Sequence, residues 1–164
     1  MSQERTKPPT SRIQSEIRQK RPFRTRRQEA AIALLRTADV VRRRVSQVVE
    51  AYGVTAQQYN VLRIIAGAGK DGIPTLDIAE RMIERTPGIT RLLDRLEARK
   101  LVRRERCPTD RRQVLCWLTG AGEELLRKMR GPIDQADHIA VGEMDEAELE
   151  RLITLLDTVR GEGD

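Results

Sequence analysis

Apolar residues recur along most of this chain at three- and four-residue steps, the period of one face of an α-helix. The clearest run lies at about residues 27–52, where Leu34, Leu35, Ala38, Val41, Val45, Val48, Val49 and Tyr52 share a stripe. Gly53 follows, where a left-handed residue closes a helix. Arg42, Arg43 and Arg44 crowd one turn, so at least two of them point away from the stripe. Thr55 and Gln58 have the spacing of a capping box for a second helix, whose apolar positions are Tyr59, Leu62, Ile65 and Ala66. Residues 67–72, bounded by glycines, stop it, and Ile73-Pro74 suffices for a single extended pairing. Thr75 is placed to cap a short helix through Leu76, Ile78, Ala79 and Met82. After a turn at Glu84-Arg85, Thr86 followed by Pro87 predicts the cap and first residue of another helix, which buries Ile89, Leu92, Leu93 and Leu96.

The period then changes. Residues 101–107 and 114–118 are short β-compatible runs flanking Pro108-Thr109-Asp110-Arg111-Arg112-Gln113, a segment rich in turn formers, so a hairpin is expected. Thr119-Gly120 opens a further helix through Leu125, Leu126 and Met129, with a bend or kink at Gly131-Pro132 before Ile133, Ala136, Ile139 and Ala140. Asp145 and Glu148 form another capping box ahead of a last helix with Leu149, Leu152, Ile153, Leu156 and Val159 on its stripe. There is no internal repeat. The fold class is mainly α with a small β-hairpin wing.

Composition narrows the function. Aromatic residues are 2% of the 164, too few for an RNA-recognition sheet that stacks bases on exposed rings. No window approaches the roughly 20 apolar residues of a membrane span, and the charged start lacks the apolar core of a secretory signal. Cys107 and Cys116 make neither a disulfide framework nor a four-ligand zinc site. A soluble, cytoplasmic chain with no cofactor and no membrane partner is expected.

Charge is unevenly spread. Residues 1–27 carry nine Lys/Arg against two acids, residues 28–119 seventeen against eleven, and residues 120–164 five against twelve. A basic body with an acidic end points to a polyanionic partner on one surface, although most charge runs are simply solvated. Residues 1–27 read as a basic arm, disordered up to about Thr10, with Ile13, Ile17 and Phe23 spaced for a short docking helix.

Two short helices, over residues 75–81 and 86–99, are separated by a tight turn and followed by a hairpin with an Arg-tipped loop. This is the order of a helix-turn-helix with a wing. A recognition helix buries one face on its scaffold and offers short polar and Arg side chains to base edges. Leu92, Leu93 and Leu96 serve the first need; Thr86, Gly88, Thr90, Arg91 and Arg95 serve the second. Gly88 allows a phosphate to approach the helix N-terminus closely. Arg111 and Arg112 are long cations suited to a narrow minor groove, and either is a candidate to enter it. Arg103, Arg104 and Arg106 alternate with Glu105 on a strand, with one face near phosphates. For Arg91 and Arg95, pairing with Asp94 along the helix surface is the competing explanation; for Arg111 and Arg112 it is plain solvation of a surface hairpin, against which Asp110 beside them suggests a tip held in shape by an ion pair.

With these residues in place, the sequence resembles the MarR family of winged helix-turn-helix regulators. The resemblance is carried by Gln58-Tyr59-Asn60-Val61-Leu62, Leu76-Asp77-Ile78-Ala79-Glu80-Arg81, the run from Thr90 to Glu97, Leu101-Val102-Arg103-Arg104, and above all Asp110-Arg111-Arg112 followed by Leu118-Thr119. It implies a dimeric repressor or activator of transcription on a pseudo-palindromic double-stranded DNA site, with a small-molecule effector possible. The winged lobe would span residues 55–119, and residues 28–53 and 120–160 would be the dimerisation helices. The DNA-binding set would be Thr75, Thr86, Pro87, Gly88, Thr90, Arg91, Asp94, Arg95, Arg104, Asp110, Arg111 and Arg112. Independently, the terminal helices have apolar stripes without a partner in the lobe, and pairing across a two-fold axis would bury them. Lys100 stands where the family usually has Gly; a left-handed backbone there would cost on the order of 1 kcal/mol.

The remaining chemistry is thin. Cys107 and Cys116 are cross-strand neighbours only if the register brings them together, and small buried wing residues are the simpler expectation. His138 has no ligand-spaced companion. With one His, no phosphate-binding glycine loop and no nucleophile–base spacing, an enzyme is not expected. A nonspecific nucleic-acid binder would not need the wing and helix together, and a purely protein-binding winged helix would not need Arg91, Arg95, Arg111 and Arg112 together.

Overall fold

The computed structural model describes residues 11–84, 88–110 and 112–161. They fall into two compact units divided between Val41 and Arg42. The expected disorder before Thr10, the Thr86-Pro87 helix start and the side chain of Arg111 lie outside the described residues.

In the first unit a short helix α1 (Arg12–Glu16) buries Ile13 and leaves Ile17 exposed. Helix α2 (Arg26–Glu50) begins in this unit and continues into the second. Glu16 pairs with Arg12 at 2.7 Å and approaches Arg36 at 3.9 Å.

The second unit builds from the last turns of α2 onward. Gly53 is left-handed at φ 74°, and Gly53 N–H and Val54 N–H bond back to Glu50 and Val49 carbonyls, which closes α2. Thr55 and Gln58 form the expected capping box at the start of α3 (Ala56–Gly67). A 3₁₀ turn (Gly69–Asp71) leads to strand β1 (Ile73–Pro74), then α4 (Thr75–Arg81), α5 (Ile89–Ala98), β2 (Val102–Arg106) and β3 (Val114–Leu118). The three strands form an antiparallel sheet in the order β1-β3-β2, with Ile73 and Arg104 both opposite Cys116. Val49, Leu62, Ile65, Ile78, Leu93, Leu96, Val102, Cys116 and Met129 make one apolar core beneath α3, α5 and the sheet.

Helix α6 (Gly120–Val141) is capped by the Thr119 hydroxyl, and α7 (Glu146–Arg160) by the Asp145–Glu148 capping box. α6 runs unbroken through Pro132. Proline has no N–H to give to the carbonyl four residues back, which is that of Lys128. The Tyr52 hydroxyl approaches that same carbonyl at 3.4 Å and takes up the freed acceptor.

One local expectation is corrected. Thr75 does not cap α4: the residue before the helix is Pro74, and the Thr75 hydroxyl donates instead to the Val114 carbonyl at 3.2 Å, a cross-element bond available only once β3 is in place. α5 is described from Ile89, and Gly88 before it sits at φ 99°, outside the right-handed helix. The register sets Arg104 opposite Cys116 while the Cys107 N–H bonds to the Gln113 carbonyl, so the two cysteines are not cross-strand neighbours but a buried (Cys116) and a half-buried (Cys107) wing residue.

Candidate nucleic-acid interface

Helix α5 divides its side chains cleanly. Leu92, Leu93 and Leu96 are buried, whereas Thr90, Arg91 and Arg95 are exposed. The left-handed Gly88 turns the chain into the helix, and its carbonyl accepts from the N–H groups of Arg91 and Leu92 at 3.0 and 3.3 Å. Asp94 is not the partner of Arg91 or Arg95. Its carboxylate is bound at 2.6 Å by Arg104 from β2, and the same guanidinium bonds Glu97 at 2.5 and 3.0 Å. Arg104 is thereby half-buried, with its charged form favoured first by Glu97 and then by Asp94. Arg91 and Arg95 have no ion pair among the described residues, so both guanidinium groups stand free on the helix surface.

The hairpin loop is shaped by hydrogen bonds to its own main chain. The Cys107 N–H to Gln113 carbonyl bond (3.0 Å) closes the loop at its base. Within it, the Asp110 carboxylate accepts from the Arg112 N–H at 3.0 Å and the Asp110 carbonyl from the Gln113 N–H at 2.9 Å. Asp110 therefore folds the tip through the main chain, and the Arg112 side chain is exposed. Thr75 ties α4 to β3 through the bond described above. Arg103 stacks over the Trp117 ring at 4.2 Å and pairs with Glu105, while the Trp117 indole N–H donates to the Lys70 carbonyl at 3.1 Å. Of the three strand arginines, Arg106 is the exposed one without an ion pair among the described residues.

Asp94 and Arg104, both expected from the sequence at the DNA interface, bind each other and hold the wing strand against α5. That expectation missed Glu97, although the signal was present. Asp94 and Glu97 are three apart on one helix face, and Arg104 alternates with Arg103 and Glu105 on a strand, which places the three charges for contact once the strand packs on the helix. It also missed that Glu84, in the turn before α5, is paired with Arg42 from α2.

An open groove of about 480 Å³ lies along α3 and α6, lined among others by Tyr59, Arg63, Leu126, Arg130, Ile133 and Asp134. Burial raises the Tyr59 phenol above its ordinary range, against the opposing influence of Arg63, whose guanidinium is 6.0 Å from the ring centre. Among the described residues no three His, Cys, Asp or Glu side chains converge as a metal site would require, and no helix is long and apolar enough to cross a membrane.

Comparison with known proteins follows the same lines. The family model described as MarR family matches residues 52–113. The transcriptional regulator HosA of Escherichia coli O111:H- is 34% identical over 103 residues, covering 63% of this chain and 75% of HosA. The crystal structure of a MarR transcription factor from Planctomyces limnophilus superposes with a TM-score of 0.64 at 38% identity, over 82% of this chain and 98% of that one. MepR of S. aureus, solved as a complex with DNA, matches with a TM-score of 0.69 at 25% identity, over 77% of this chain and 92% of that one. The free arginines of α5, the wing folded by Asp110 and these likenesses converge: the chain belongs to the MarR family of transcription regulators.

Proposed function

We propose that this regulator acts as a dimeric repressor, binding a pseudo-palindromic double-stranded DNA operator in a sequence-specific way and leaving it when a small molecule binds. α5 is the recognition helix in the major groove, with Thr90, Arg91 and Arg95 meeting base edges and phosphates, and Thr86, Pro87 and Gly88 at its phosphate-proximal end. Arg111 and Arg112 at the wing tip serve the adjacent minor groove. Asp94 and Arg104 hold the strand of the wing to the helix, Asp110 folds its tip, and Thr75 fastens α4 to it.

The observation that carries this reading is the division of charge around α5. Arg104 consumes both carboxylates on the helix, Asp94 and Glu97, and so leaves Arg91 and Arg95 uncompensated on the exposed face. An uncompensated pair of guanidinium groups on a short helix suits a polyanion. Self-association is supported by α7, none of whose residues is buried and whose Ile153, Leu155 and Val159 are exposed, together with exposed Ile139 on α6. Covering these with a second copy would set two recognition helices roughly 34–36 Å apart, one turn of DNA. The α3–α6 groove, where Arg63, Arg130 and Asp134 stand among Leu126 and Ile133, is the candidate effector site.

The test is selection of bound fragments from the source genome with purified protein. Recovery of an inverted repeat supports the proposal, and Arg111→Ala or Arg112→Ala should weaken binding to it while helicity and dimerisation persist. Recovery of no common sequence, or unchanged affinity in both variants, would overturn it.

A further inference from the structure

The function above leaves the segment ahead of α2, and the first turn of that helix, without a role. Residues 17–28 contain no acid and six cations, Arg18, Lys20, Arg21, Arg24, Arg26 and Arg27, all of them exposed. Arg26 pairs with Glu29 at 2.6 Å, whereas the other five have no ion pair among the described residues. Like charges so close in sequence repel, and with nothing to bind they would favour a loose, extended coil. This segment is instead held in shape by its neutral residues. The Gln19 side chain donates to the Arg21 carbonyl at 2.9 Å, and the Gln14 side chain to the Gln19 carbonyl at 3.3 Å. At the other end Gln28 accepts from the Arg24 N–H at 3.0 Å while its own N–H bonds the Thr25 hydroxyl at 3.1 Å.

We propose that residues 18–27 form a second polyanion-binding surface that takes the phosphate backbone of the duplex, an inference that rests on the DNA-binding function proposed above. Four of the five unpaired cations are Arg, whose planar fork bonds a phosphate through two N–H groups. Fixing the backbone beforehand reduces the ordering cost of that contact. The competing acceptor is the acidic end of a second copy. Its carboxylates are partly engaged already: Asp145 and Glu148 cap α7, Asp157 pairs with Arg160, and Glu124 pairs with Arg127. DNA is therefore the better acceptor.

The full-length protein, the triple variant Arg21→Ala, Arg24→Ala, Arg27→Ala and the wing variant Arg112→Ala are compared by fluorescence anisotropy on a mixed-sequence duplex of about 40 bp, at salt from about 50 to 200 mM. Each lost phosphate contact lowers the slope of log affinity against log salt by about 0.9, so the triple variant should lose roughly 3–5 from the slope of the dimer. Its affinity at low salt should fall more than tenfold, while its preference for a selected operator over mixed sequence stays that of the parent. If the parent binds duplex with a steep salt slope and the triple variant matches it, the arm is solvated and the inference fails while the function stands. A triple variant that keeps the slope but dimerises more weakly in sedimentation places the arm on the acidic helices of a second copy, and likewise overturns the inference. If the parent binds no duplex and Arg112→Ala changes nothing, the function and the inference fall together.

Discussion

Replacing Arg104 by Met keeps the apolar stem of the side chain and removes the guanidinium that joins β2 to α5. Three contacts of 2.5–3.0 Å are lost, to Glu97 and Asp94. Fully exposed ion pairs contribute about 0.2–1 kcal/mol, and hydrogen bonds to charged groups in protected sites about 1.5–3 kcal/mol. The side chain of Arg104 is 21% exposed, and those of Glu97 and Asp94 are 39% and 55% exposed, so the cluster lies between these limits. Because both carboxylates reach water after the substitution, no buried charge is orphaned, and the loss should be about 1–2 kcal/mol rather than the larger penalty of a buried pair broken on one side. The freed Asp94 lies three residues from Arg91 on the same helix, so it competes with phosphate for that guanidinium and DNA affinity should fall as well. Urea denaturation at fixed protein concentration would show a lower midpoint with an unchanged slope. Adding Asp94→Asn and Glu97→Gln should recover part of the DNA affinity, since it removes the competing charges. An unchanged midpoint, or a triple variant that binds DNA no better than Arg104→Met alone, would refute the reasoning.

Two further outcomes follow from local geometry. Lys100 is left-handed at φ 57° and ends α5 with the Leu101 N–H bonded to the Leu96 carbonyl and its own N–H to Glu97, so Lys100→Gly should relieve strain and raise stability by up to about 1 kcal/mol, read as a higher Tm; a lower Tm would contradict it. The Cys107 thiol is pulled below its ordinary range chiefly by the Thr109 hydroxyl, with backbone N–H groups of Asp110 and Thr109 adding to it, whereas burial pushes the Cys116 thiol up. Its thiolate thus forms at lower pH, and iodoacetamide at neutral pH should label Cys107 first and Cys116 only on unfolding; equal rates by peptide mass analysis would show otherwise.

What the sequence by itself determined was most of what neighbours within a few residues set. The helical stripes, the Thr55–Gln58 and Asp145–Glu148 boxes, the left-handed Gly53 and the two strands flanking the hairpin loop all appear where periodicity and capping chemistry place them. So does the face of α5 that carries Thr90, Arg91 and Arg95, since a buried stripe of leucines leaves them outward. Tertiary structure decided the pairings. Which carboxylate Arg104 takes, where the Thr75 hydroxyl goes and what faces Cys116 all depend on the register of β3 against its neighbours, and a two-residue repeat does not specify register across a loop. Close packing decided the rest. A side chain at Gly122 would bring its Cβ within 2.2 Å of the Leu101 carbonyl oxygen, so glycine there is required by a neighbour 21 positions away in the chain, brought close only when β2 pairs with β3 and the Thr119 N–H bonds the Leu101 carbonyl. Short-range preferences act before the chain folds, whereas charge partners and clearances exist only after distant segments have met, and this is why the exposed arginines were legible and the residues that hold them ready were not.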